Sequence, residues 1–169
     1  MDIPEATMGS EIPRRLVPDD FAVPERLEHE RFTLRMLAVT DVAKDFAAIN
    51  QRVLPDGTPD PWSETTFLEN LADLGWHEVE FKTHRSFAYT VVRPDESEVI
   101  GCLYFYPPER DDHDVDVKMW VTRKAWEEGL DAELERTVRE WVAREWPFQR
   151  PLWRDRSPQG AEGGSPWPS

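Results

Sequence analysis

The chain has 169 residues, 39% of them hydrophobic, with 34 Asp or Glu against 20 Lys or Arg and a formal charge of −14 at pH 7. That length supports one domain with a real core rather than two, and the acidic surplus repels phosphate backbones and anionic lipid, so neither nucleic acid nor a membrane surface is an expected partner. One cysteine excludes an internal disulfide, no run of about 18 apolar residues is present to span a bilayer, and no basic-then-apolar leader opens the chain, so the expected compartment is cytoplasmic.

Residues 1–29 carry Pro4, Pro13, Pro18 and Pro24 with no sustained period, which predicts an extended N-terminal arm draped over the domain through Phe21 and Val23. Residues 30–156 are expected to form the single domain. Phe32 to Met36 alternates as a half-buried strand does. Thr40 or Asp41 is a candidate cap for a helix with Val42, Phe46, Ile49 and Val53 on one face. Pro55, Gly57, Pro59 and Pro61 then force a loop. Ser63 is the expected cap of a second helix running to about His84, with Phe67, Leu68, Leu71, Leu74 and Phe81 as its apolar face.

Phe87–Val92 and Val99–Tyr106 are rich in aromatic and β-branched residues and are joined by a polar turn, so they read as an antiparallel hairpin. The second of these is apolar almost without alternation and is expected to lie at the centre of the sheet, covered on both faces. Residues 114–121 alternate strictly, with Val115, Val117, Met119 and Val121 on a core face and Asp114, Asp116, Lys118 and Trp120 on a wet one. A long helix with Leu130, Leu134, Val138, Trp141 and Val142 on one stripe follows, and Pro147 stops it. Residues 148–153 are placed as one more strand, and 157–169, rich in Pro, Gly and Ser, as a disordered tail.

This order predicts an α+β fold: a mixed, mostly antiparallel central sheet with helices on both faces. From Phe32 to Trp153 the chain resembles the GNAT N-acetyltransferases, and within them the ribosomal-protein N-terminal acetyltransferases, which often begin with a strand like Leu34-Arg35-Met36. The resemblance implies an acyl-CoA N-acyltransferase-like fold, here lacking the usual C-terminal helix and the tyrosine acid that helix carries. It implies acetyl-CoA as co-substrate, with Met119, Trp120 and Val121 meeting the pantetheine arm and Arg123, Lys124, Gly129 and Leu130 around the diphosphate. Backbone N–H groups and the positive end of the helix dipole meet there.

Aligned on Gly129, the family pattern Arg/Gln-x-x-Gly-x-Gly/Ala has Trp126 at its basic position and Asp131 at its last glycine, so only Gly129 survives. A carboxylate about 5 Å from a phosphate charge is opposed by roughly 3 kcal/mol at an effective dielectric of about 20, and Glu127, Glu128 and Asp131 crowd this stretch. Asp116, on the wet face of the 114–121 strand, is the expected general base, and by the resemblance Trp62 and His77 are acceptor-side groups. Of His77, Glu78, Glu80 and His84, three (His77, Glu80 and His84) can share a helix side, but without the His-Glu-x-x-His spacing, so no metal is expected. Cys102 reads as a small core residue. Where Trp146 and Trp153 would be exposed by the missing helix, a homodimer or the N-terminal arm is expected to cover them.

Two functions follow from these residues. One is an N-acyltransferase that moves an acetyl group from acetyl-CoA to a primary amine on a small molecule or a peptide. The other is a non-catalytic binding or regulatory domain on the same fold that has lost acyl-CoA binding.

Overall fold

A computed structural model of the chain describes residues 14–61 and 63–159. In chain order, β1 (Arg26–Glu28) and β2 (Thr33–Met36) are followed by a 3₁₀ turn at Val39–Asp41, α1 (Val42–Ile49) and the two-residue β3 (Arg52–Val53). Then come α2 (Phe67–Lys82), β4 (Phe87–Val92), β5 (Val99–Tyr106), β6 (Val115–Thr122), the short α3 (Arg123–Glu127), α4 (Leu130–Glu145) and β7 (Pro151–Trp153). The sheet runs β1-β2-β4-β5-β6-β3, all antiparallel, and β7 joins in parallel beside the first half of β6. The expected α+β class and the central place of β5 are both observed.

Two apolar layers flank the sheet. On one face Tyr89, Leu103, Phe105, Val117 and Met119 pack against Leu130, Leu134, Val138 and Trp141 of α4. On the other, Ala88, Cys102, Tyr104 and Trp120 pack against Ala48 and Ile49 of α1 and Leu74 of α2. Each large side chain wholly withdrawn from water contributes about 1.5–3 kcal/mol, so Trp141, at 1% exposure, anchors the first layer.

Three expectations are corrected. The second helix is capped by Thr66, not Ser63: Thr66 Oγ1 accepts from Glu69 N at 3.2 Å while Glu69 Oε2 accepts from Thr66 N at 2.8 Å, a reciprocal cap. Starting there, α2 turns Asn70, Leu74, His77 and Phe81 to the sheet and leaves Phe67 and Leu68 exposed. Val53 leaves the first helix to pair with Val121 in β3. The arm is more than draped, since its β1 forms the sheet's outer strand against β2. Trp146 and Trp153 are both buried within the chain, Trp146 against Phe21 of the arm with ring centroids 5.5 Å apart and Trp153 beneath the Arg139 guanidinium at 4.2 Å. Neither ring calls for a second copy.

Pro4 and Pro13 of the arm lie outside the described residues, as do residues 160–169 of the tail. No helix among the described residues is long and apolar enough to cross a membrane.

Candidate functional site

Alternation along β5 and β6 places Cys102 opposite Trp120, Tyr104 opposite Lys118 and Tyr106 opposite Asp116, all on the α1 and α2 side. Because the hydrophobic face of α2 includes His77, the helix brings Asp73, Trp76 and His77 over these rings. Ile49 and Arg52 close the end, leaving a cleft of about 350 Å³. Its walls are mostly aromatic: Tyr104 and Tyr106 stack with centroids 5.4 Å apart, His77 lies 5.1 Å from Tyr104, and Trp76 lies 4.9 Å from His77. Trp120 Nε1 donates to Tyr104 Oη at 3.2 Å, which fixes both rings.

The polar groups here are unevenly paired. Arg52 is held by Asp60 at 3.1 Å. His77 is 4% exposed, with Nε2 3.3 Å from Asp73 and Nδ1 without a partner among the described residues. Lys118 makes no hydrogen bond or ion pair with any described residue. An aromatic concave wall with convergent polar groups is the composition of a small-molecule site.

Behind the cleft sits Asp45 of α1, 1% exposed, accepting from Asn70 Nδ2 at 2.9 Å with Cys102 Sγ 3.6 Å away. Burial holds the Asp45 carboxyl above its usual range despite the Asn70 hydrogen bond. Burial also pushes the Cys102 thiol up, the reverse of what a nucleophile needs. A carboxyl raised on folding favours the native state at low pH, and that contribution is lost as pH rises through its folded value. Asp45→Asn is therefore expected to be more heat-stable than the native chain at about pH 7.5, with the gap closing toward about pH 4. Thermal unfolding at both pH values checks this, and a gap independent of pH would refute it.

The other half of the site is the edge of β6. β7 pairs with Val115–Val117 and β3 with Val121 and Thr122, so the edge between them, Lys118 to Trp120, is a gap in the sheet. By the resemblance, this gap is where a pantetheine arm would lie. It is filled from within. Arg156, just past β7, is buried at 2% side-chain exposure; its Nη2 donates to Asp131 Oδ1 at 2.7 Å and to Met119 O at 3.5 Å, and its Nη1 to Glu135 Oε2 at 2.9 Å. Burial alone would lower the guanidinium, but the two carboxylates outweigh it and hold it above its usual range.

The stretch expected to cradle a diphosphate is also closed. Thr122 Oγ1 caps α3 through Ala125 N at 3.3 Å, so residues 123–127 form a helical turn instead of an open loop. Trp126 Nε1 donates to Pro55 O at 3.0 Å, and its ring lies on Gly57, where an added Cβ would meet it at 2.6 Å. Gly129, in the left-handed conformation with φ 79°, turns the chain into α4 as a glycine allows. The nearby cations are spent on the protein's own groups: Arg123 on Gly57 O, Lys124 beside Glu98, Arg93 on Glu98 and Glu128, and Arg31 on Glu133. This arrangement does not fit an acyl-CoA.

The structure thus divides the expected site residues. His77 and Trp120 meet in the cleft, whereas Met119, Val121 and Leu130 are core side chains and Arg123 and Lys124 face away from the gap. Trp62 lies outside the described residues. Asp116, expected as a base on the wet face, is corrected: it is 1% exposed, ion-paired to Arg154, and 2.5 Å from His113 Nε2, outside the cleft. The face of β6 expected to be wet is buried, with Trp120 at 3% exposure, and Asp116 lies beside β7. Among the described residues no group of three or more His, Cys, Asp or Glu is arranged to hold a metal ion.

Sequence reasoning missed Tyr104, Tyr106, Trp76, Asp73, Lys118 and Arg156 as site residues. A signal for the first two existed, since residues two apart on a strand share a face. Arg156 had none.

A family model described as an acetyltransferase (GNAT) domain matches residues 31–154. Among solved structures, a GnaT-family acetyltransferase of Bordetella pertussis superposes with TM-score 0.57 at 19% identity, covering 72% of this chain and 73% of that one. A ribosomal-protein-serine acetyltransferase of Vibrio cholerae gives 0.56 at 11% identity over 70% and 67%. The microcin C7 self-immunity acetyltransferase, solved with acetyl-CoA and AMP, gives 0.53 at 10% identity over 72% and 68%. No curated protein sequence matches the chain significantly.

Proposed function

Since this chain belongs to the acetyltransferase (GNAT) domain family, we propose that it keeps the fold as a ligand-binding domain, with the aromatic cleft as its site and without acyl-CoA binding. The observation that carries this reading is Arg156, seated in the β6 gap between Asp131 and Glu135. Withdrawing it to admit a thiol arm strands the buried Asp131 and leaves Glu135 to Arg139 alone, at a cost of about 3 kcal/mol before any coenzyme contact is made. The acids of the former diphosphate loop add repulsion.

The second reading, acyl transfer to a primary amine, is favoured by family membership and by the first turn of α4, which has no side-chain cap. Thermal unfolding with about 1 mM acetyl-CoA separates the two: a site of about 100 µM affinity would add about 1.4 kcal/mol of stability. No shift is expected. A shift, together with release of free thiol when amines are added, would establish the transferase instead.

A further inference from the structure

We propose that the cleft takes a small aromatic carboxylate, its ring among the cleft's aromatic side chains and its acid on Lys118. The inference rests on the ligand-binding reading above and names the ligand class for that site. Three features of the walls carry it.

The first is shape. About 350 Å³ lies at the small end of ligand cavities, which accommodates a one- or two-ring molecule and little more. The second is the facing surface. Trp76, Tyr104, Tyr106 and Trp120 present ring faces and edges, and the Trp120 to Tyr104 hydrogen bond holds two of them rigid, so a flat ligand loses little side-chain freedom from the wall it meets. Trp76 is 49% exposed on its own helix, and a stacked ligand would cover part of it.

The third is charge. The cleft holds Arg52, Lys118 and Asp73 as its ionic groups. Arg52 is neutralised by Asp60 behind it, and Asp73, at 53% side-chain exposure, stands at the rim beside His77. Lys118 remains, half-buried on the floor beside Tyr104, with no carboxylate of the described chain to meet it. In a protein of net charge −14 an unpaired ammonium inside an aromatic cleft is conspicuous, because acids to pair it are abundant everywhere else. An aromatic cage alone would suit a cation. Lys118 reverses that preference, since an incoming ammonium would share the floor with it and find a carboxylate only at the wet rim.

The test compares three probes on one ring: 2-naphthylacetate, 2-naphthylethylamine and 2-naphthylethanol, titrated calorimetrically into the full chain. A charge-assisted hydrogen bond predicts that the acid binds at least about tenfold tighter than the alcohol, with the amine weakest. Lys118→Met is expected to bring the acid down to the level of the alcohol, and Trp76→Ala to weaken all three. Raising NaCl from about 0.05 M to about 0.5 M in the native chain is expected to weaken the acid alone, a readout that needs no variant to fold. Tightest binding by the amine, equal binding of all three, or no binding would each overturn the assignment. Acetyl-CoA is run in the same cell. Heat from acetyl-CoA sinks the ligand-binding reading whatever the naphthyl series shows, whereas silence from acetyl-CoA with no preference for the acid sinks only the ligand class.

Discussion

Arg156→Leu is expected to destabilise the protein by about 3 kcal/mol, because it leaves the buried Asp131 with no counter-ion and Glu135 with Arg139 alone. The asymmetry of buried ion pairs makes this sharper than the loss of one contact. Removing a single partner strands charge in a poor dielectric, whereas removing all three leaves only Arg139, at the protein surface end of the cluster, without its carboxylate. The variant Arg156→Leu, Asp131→Asn, Glu135→Gln is therefore expected to recover most of the loss. Urea unfolding of the single and triple variants measures both numbers. A cost below about 1 kcal/mol for Arg156→Leu would mean that the gap in β6 is not held shut by these three groups. If the triple variant then gains a thermal shift with acetyl-CoA that the native chain lacks, Arg156 is what excludes the coenzyme.

The second large effect is expected at Gly101. It lies in β5 between Val91 and Val121, and a Cβ there would sit 2.3 Å from the Trp120 carbonyl oxygen and 3.2 Å from Val121 Cγ1. The clash is with backbone in the middle of a sheet, so it cannot be relieved by rotating a side chain. Gly101→Ala is expected to cost about 3 kcal/mol or more. It must also push β6 aside and carry Trp120 and Lys118 with it, so ligand binding in the cleft is expected to fail even under conditions where the protein remains folded. Gly75→Ala is the matched control. Nothing lies within 4 Å of an added Cβ on this helical residue, and a gain of about 0.5–1 kcal/mol is expected from helix propensity. A cost at Gly101 no larger than the change at Gly75 would show that the strands can part there freely.

The fold was legible wherever a side-chain period met a clear boundary. Strict alternation from Asp114 to Val121 identified the strand and which side chains share a face, though both faces are buried, and Pro147 marked the end of the α4 stripe, because these patterns follow from local geometry alone. The second helix was misread by one cap. Ser63 and Thr66 are both good capping residues, and only Thr66 has a glutamate three positions on, so the difference of three residues turned Phe67 and Leu68 from core to surface. The site was legible in part. Loss of the glycine-rich pattern at Trp126 and Asp131 pointed to the stretch where Trp126 lies on Gly57 and Asp131 pairs with Arg156. What replaced it was invisible, since the pairing of Asp131 with Arg156 joins residues 25 apart across the sheet and no periodicity encodes it. Asp116 shows the converse: alternation placed it on the same face as Lys118 and Trp120, but that face, read as wet, is buried, and its position beside β7 was not visible.

The position of Arg156 bears on how the protein is made. Asp131 and Glu135 leave the ribosome 25 and 21 residues before their counter-ion, an interval of roughly one to five seconds at ordinary synthesis rates. During that time the first turns of α4 carry acids that have no reason to leave water. The helix can settle onto its sheet with Asp131 balanced only once the closing arginine has arrived.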